Sequence, residues 1–181
     1  MMSPARTPRR RDREVTDERW IRTMLQHAPV VSIAATDDGV PYVNTNLFVY
    51  DGDRNTIAFH TAGSGHLRSV IERNPLVCCS VFSMGRMLPA KAAMDFGVEY
   101  ASVVVRGRAE IVADETLMME VFARYFRKYF PAVPAGEYEP FTPADARRAT
   151  VFSVSIDSWS GKRHQKPEDH PGAFAYTPSI L

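Results

Sequence analysis

The chain has 181 residues, 45% of them hydrophobic, enough to bury one sizeable core in a single domain with short extensions. Its 22 lysines and arginines balance 21 aspartates and glutamates, so a net charge of +1 offers no global field for nucleic acid or an anionic membrane, and any anion site must be local. No segment approaches the roughly 18 apolar residues of a membrane helix, and "MMSPARTPRRRDREV" lacks the apolar stretch of a secretory signal, so a cytoplasmic protein with neither nucleic-acid nor membrane partners is expected.

Residues 1–15 carry five arginines and almost nothing to bury, which predicts a disordered basic tail. No aromatic residue interleaves those arginines as a nucleic-acid arm would require. A globular pattern begins at residue 16 and runs to about 165, with 166–181 as a C-terminal tail. "TDERWIRTMLQHA" opens on a Thr/Asp cap and sets Trp20, Ile21, Met24 and Leu25 at helical spacing. Residues 29–62 read as three strands of an antiparallel meander, joined at "DDG" and "DGDRN" by the Asp-Gly chemistry of tight hairpins. In "GHLRSVIERNP", Leu67, Val70 and Ile71 share one helical face, and Asn74-Pro75 stops the helix.

A fourth strand, "LVCCSVF", places the adjacent Cys78 and Cys79 on opposite faces, where they cannot bridge each other, and both read as small buried side chains. A long loop, "SMGRMLPAKAAMDFG", leads to the strand "VEYASVVVRGRAEIV". An amphipathic helix over "DETLMMEVFARYFRKYF", a capped turn at "TPADARRAT" and a last strand at "VFSVSIDSW" follow. Six strands in mostly sequential antiparallel order, with helices plugging the ends, predict a small barrel with any ligand outside it or between two copies.

The stretch "FHTAGSGHLRSVIERNP" (59–75) concentrates chemistry. His60 and Thr61 end a strand, Gly63 and Gly65 free the backbone, and Ser64 with the first helical amides near His66 forms a donor-rich anion cradle. His66 and Arg68 add charge, and Thr45 and Asn46 add side-chain donors if the meander brings them alongside. An ordinary strand-to-helix turn with purely geometric glycines fits the same residues, and both readings stand. His164 and His170 lie in a charged tail without a partner at ligand spacing, so no metal site is expected.

The segments "GVPYVNTNLFVYDGD", "IAFHTAGSGHLRSVIERNPLVCCSVF", "MGRMLPA", "VEYASVVVRGRA" and "IDSWSGKR" occur in the order found in the pyridoxamine 5'-phosphate oxidase-like flavoproteins. Over about residues 16–176 the chain resembles the branch of flavin-nucleotide-binding proteins that includes the nitroimidazole-resistance proteins. The resemblance implies a mainly β six-stranded antiparallel split barrel, a homodimer, and FMN in a groove between the copies. It places Phe59, His60, Thr61 and Ala62 along the flavin ring and ribityl chain, and Ser64, Gly65 and His66 nearest the phosphate. Asn44, Thr45 and Asn46 correspond to a strand facing the flavin, Tyr100 and Ser102 to a Y-x-S-V element, and Trp159 and Lys162 to a W-x-G-K element. Where the oxidases carry a phosphate-helix lysine, this chain has Leu67 and Arg68, with Arg68 the substitute cation, and the oxidases' substrate-binding residues find no match.

The implied function is an FMN-dependent oxidoreductase passing electrons from a reduced nicotinamide to a small-molecule acceptor. The alternatives are a non-catalytic flavin-sequestering protein, or an enzyme holding a deazaflavin or haem in the same fold.

Overall fold

The computed structural model describes residues 9–134 and 136–177. In chain order the elements are β1 (Glu14–Val15), α1 (Glu18–His27), β2 (Val31–Asp37), β3 (Val40–Asn46), β4 (Val49–Asp51), β5 (Thr56–Ala62) and α2 (His66–Arg73). They continue as β6 (Leu76–Leu88), β7 (Gly97–Ile111), α3 (Glu115–Tyr129), α4 (Pro143–Ala146), β8 (Ala149–His164) and β9 (Phe174–Ala175). The local chemistry accounts for most boundaries. Asp17 caps α1 by accepting from the amides of Arg19 and Trp20. Asp38 and Gly39, at φ 48° and 87°, take the two left-handed positions of the tight turn between β2 and β3.

All strand pairings are antiparallel, in the order β3-β2-β6-β7-β8-β5-β4. The two edges of this sheet, β3 and β4, are consecutive in the chain and separated only by Leu47 and Phe48. The sheet must therefore roll until its edges almost meet, which makes a barrel with a seam at Leu47–Phe48. The six expected strands are all present. The one read across 40–51 changes partner at the seam, from β2 to β5, and with the short β1 and β9 the sheet has nine strands.

Three boundaries differ from expectation. Residues 1–8 lie outside the described residues, but the inner end of the supposed tail is ordered, because β1 pairs with Gly161 and Lys162 of β8. The loop expected over 83–97 is mostly hairpin, since β6 and β7 stay paired past a bulge between Met84 and Met87. The C-terminal tail returns to the sheet through β9, beside Arg86 and Met87. Arg86 fastens it by donating to the carbonyls of Lys166, Pro167 and Glu168 while binding the Glu99 carboxylate, which it holds down at about 2.

The barrel interior is filled by Val31, Ile33, Phe48, Ile57, Phe59, Val81, Val103, Val105, Phe152 and Val154. Burial of this kind contributes roughly 25 cal/mol per Å² of apolar surface. Ile21 and Leu25 of α1 and Leu67, Val70 and Ile71 of α2 close the core from two sides. Helix α1 spans the gap between β4 and the end of β8, with Arg22 bonded to the Tyr50 hydroxyl at 2.7 Å and lying over the Trp159 ring. Gly161 lies close beneath it, since a Cβ there would sit 3.2 Å from the side chains of Trp20, Ile21 and Val15. Cys79 is in the core, where burial pushes its thiol up to about 12, whereas Cys78 on the other face is only half-buried.

Helix α3 does not plug the barrel. It lies outside, where Val121, Phe122 and Tyr125 cover Ala58 and Val151 of β5 and β8. Asp51 anchors it by pairing with Arg124 and Arg54 at 3.1 and 2.9 Å.

Candidate functional site

At the end of β5 the chain leaves the sheet and enters α2, and a cleft of about 400 Å³ opens there against α3 and α4. It is lined by His60, Thr61, Ala62, Phe122, Phe141, Asp145, Arg148 and Ala149. Strand alternation turns His60 outward, with its ring centroid 4.9 Å from Tyr125 and 5.1 Å from Phe122. Its Nδ1 is buried and has no hydrogen-bond partner among the described residues, and burial pushes the imidazole below its ordinary value, so the ring is neutral at pH 7.

The loop after β5 is held rigidly. A Cβ on Gly63 would come within 3.2 Å of the Arg148 carbonyl, so the loop lies hard against the start of β8. Arg68 is its strut. The guanidinium donates to the Gly63 carbonyl at 2.7 Å and to Thr150 Oγ1 at 3.2 Å, and its Nε donates to Glu72 at 2.9 Å. Its charge therefore serves the loop before any ligand. His66 is placed by Asp37, 3.0 Å from its Nε2, and by the edge-on Tyr42 ring. Asp37 also pairs with Arg73.

The N-terminus of α2 differs from those of the other α-helices. Asp17, Asp114 and Thr142 cap α1, α3 and α4 with side-chain oxygens, whereas Gly65 offers none to α2. The first α2 amides are left as donors beside Ser64. The cleft itself carries Arg148 as its cation and Asp145 as its carboxylate, with Phe122 and Phe141 as aromatic walls, and the α2 amides follow four residues beyond Ala62. That donor set matches an anionic group carried on a planar ring system, so the residues fit a flavin nucleotide.

The other expected residues are not gathered here. Phe59 is the plainest departure: it alternates with His60, is fully buried, and stacks on Phe152 at 5.0 Å inside the barrel. Asn44 and Asn46 share the side of β3 that carries Tyr42 and bond to each other at 2.6 Å. Trp159, in register with Val105, faces inward under Arg22. Thr45, Tyr100, Ser102 and Lys162 lie on a second region, the outer face of β3, β2, β6, β7 and the end of β8, which no α-helix among the described residues covers and on which Arg13 lies over the Tyr100 ring. There the register draws one row through Thr45, Ser32, Ser80, Val104 and Ser160. A second row joins Phe82, Ser102 and Lys162, and a third joins Met84, Tyr100 and His164. Ser32 and Thr45 hydroxyls are 3.1 Å apart, and Phe82 lies parallel to Tyr100. Val43 and Phe82 on this face are 61% and 56% exposed.

Arg148, Phe141 and Asp145 line the cleft without having been singled out from the sequence. The signal for Arg148 was its place directly before Ala149, the partner of Ala62.

A family model described as pyridoxamine 5'-phosphate oxidase matches residues 17–163. No curated protein matches the chain. Among solved structures, a candidate 5-nitroimidazole antibiotic resistance protein from Bacteroides thetaiotaomicron is 21% identical, with a TM-score of 0.69 over 83% of this chain and 86% of that one. The flavocytochrome Anf3 from Azotobacter vinelandii is 23% identical, with a TM-score of 0.73 over 97% of this chain and 85% of that one. An FAD and heme binding protein from Mycobacterium smegmatis is 18% identical, with a TM-score of 0.72 over 85% of this chain and 74% of that one. At these identities the likeness is one of fold.

Proposed function

Because the chain belongs to the pyridoxamine 5'-phosphate oxidase family, we propose that it is an FMN-binding oxidoreductase, working as a homodimer, that passes electrons from a reduced nicotinamide to a small-molecule acceptor. The observation that carries this reading is the cleft at the end of β5, lined by His60, Thr61, Ala62 and Arg148, from which the chain runs within four residues into the N-terminus of α2, where no side chain caps the first amides. The flavocytochrome and the FAD- and heme-binding protein of the same fold support the flavin class.

In this reading the α2 amides, Ser64 and Arg148 hold the phosphate. Thr61, Ala62 and neutral His60 border the ring, with Phe122 and Phe141 excluding water. Arg68 acts indirectly, by fixing the loop. The uncovered face of a second copy, with Tyr100, Ser102 and Lys162, completes the groove, and its exposed Phe82 and Val43 become buried there. Bound flavin would supply hydride and one-electron chemistry, and the chain supplies position and shielding. Among the described residues no helix is long and apolar enough to cross a membrane.

The test is the pigment released from purified protein on denaturation, identified by absorbance and mass, followed by titration with FMN and riboflavin. FMN is expected, bound at least tenfold more tightly than riboflavin, equivalent to about 1.4 kcal/mol for the phosphate. A deazaflavin in the released fraction, or equal affinities for the two flavins, would overturn this reading. A second reading, with haem as the prosthetic group, rests on the flavocytochrome and the FAD and heme binding protein of the same fold. A porphyrin spectrum in place of a flavin spectrum would decide for it.

A further inference from the structure

A second cavity, of about 320 Å³, lies between the end of α1 and the last turns of α3, floored by β4. Gln26 and His27 line it from α1, Arg124, Arg127 and Lys128 from α3, and Val49 and Tyr50 form the floor. No acidic residue lines it. His27 Nδ1 lies 2.8 Å from the Thr23 carbonyl, which leaves Nε2 for the cavity.

The central group is Lys128. Its ammonium is half-buried, lies 3.9 Å from the Phe48 ring centroid, and donates to the Phe48 carbonyl at 3.0 Å. Among the described residues it has no carboxylate partner. Burial lowers its pKa to about 8. A buried cation is ordinarily paired, because desolvation without a counter-charge is costly. Arg124 reaches Asp51, and Arg54 bridges Asp51 and Glu120, so these two cations meet two carboxylates, while Arg127 adds a further cation on the exposed rim. The cavity thus gathers hydrogen-bond donors and positive charge in excess of local acid.

We infer that this cavity binds a compact phosphorylated anion, separate from the flavin cleft. The exposed Arg127 and the desolvated Lys128 ammonium, with Arg124 held beside them by Asp51, suit a phosphate dianion, and the volume leaves room for a small organic part against Val49 and Tyr50. The position gives the site a consequence. Tyr129, next to Lys128, accepts from the Phe48 amide at 2.9 Å, so the end of α3 is already tied to the seam where β3 passes into β4. An anion bridging α1 and α3 tightens that seam.

The experiment uses full-length protein and inorganic pyrophosphate as the probe, with sodium chloride at matched ionic strength as the control. Thermal stability and isothermal titration are followed for wild type, Arg127→Ala and Arg148→Ala, with and without FMN. Arg127 is exposed, so its removal leaves the fold intact. The expected result is saturable binding in wild type that raises the melting temperature, weakens at least tenfold in Arg127→Ala, and persists in Arg148→Ala and under saturating FMN. Binding that FMN or Arg148→Ala abolishes would assign the anion to the flavin cleft and overturn the proposal. Absence of saturable binding, or equal binding by Arg127→Ala, would overturn it as well. Because Arg127 and Arg148 report on different cavities, failure of the flavin reading leaves this result interpretable.

Discussion

The same sheet presents two outer faces, and they are built on opposite terms. Where β5 meets the start of β8, the outward residues Ala58, Ala149 and Val151 are small and apolar, and α3 covers them with Phe122 and Tyr125. Where β6 and β7 meet the end of β8, the outward residues include Ser80, Ser102, Ser160 and Lys162, and among the described residues no α-helix covers them. One strand supplies both faces. The irregularity in β8 opposite Arg106 and Gly107 is the point at which one gives way to the other. The covered face is core completed within the chain. The other face carries hydroxyl rows and the exposed Phe82 ring, and in the proposed dimer it is the surface a second copy covers.

Substitutions should separate the two faces by size of effect. Phe122 is 6% exposed, and Phe122→Ala should cost about 3–5 kcal/mol of unfolding free energy in denaturant titration. A loss under about 1 kcal/mol would show that the covered face is not core. At the junction, a Cβ on Gly107 would lie 2.1 Å from the Ser155 carbonyl, a rigid neighbour. Gly107→Ala should therefore cost about 2–3 kcal/mol, and a neutral result would remove the close strand approach from the account.

The covered face also predicts a pH effect. Folded His60 titrates below the free imidazole, so the unfolded chain takes up this proton first as pH falls. Its contribution is complete above about pH 6.5, declines below that with a slope of at most about 1.4 kcal/mol per pH unit, and levels off once the folded ring protonates. The difference in stability between wild type and His60→Phe should trace this curve, and a constant difference from pH 5 to 8 would contradict it. The smallest effect on folding is expected from Phe82→Ser, within about 0.5 kcal/mol for one chain. Its signature is a weaker dimer in sedimentation at micromolar concentration, and unchanged self-association would count against the uncovered face as the contact.

Much of this was legible in the sequence, for identifiable reasons. Asp38-Gly39 can hardly be anything but a tight turn, and Leu67, Val70 and Ile71 before Asn74-Pro75 specify a helix and its stop. Alternation reveals that Phe59 and His60 point opposite ways, but only packing decides which is inside. The break at Leu47–Phe48 is invisible because the segment stays extended and changes only its partner. The β6–β7 hairpin runs past Ser83 because a clip between Arg86 and Glu99 supports it, a contact 13 positions apart that no local pattern contains. Arg148 enters the cleft through the register of β5 with β8, which is likewise non-local.

The central claim is that the cleft of one copy and the uncovered face of another form a single flavin site. Mixed dimers test it most directly. Arg148→Ala damages the cleft, and the double substitution Ser102→Ala with Lys162→Ala damages the face, so each protein alone should bind FMN at least tenfold more weakly than wild type. When the two are unfolded and refolded together, random pairing gives one intact cleft opposite one intact face in each mixed dimer, and roughly a quarter of all sites should regain wild-type affinity. A mixture that binds FMN no better than its separate components would contradict a site shared between copies.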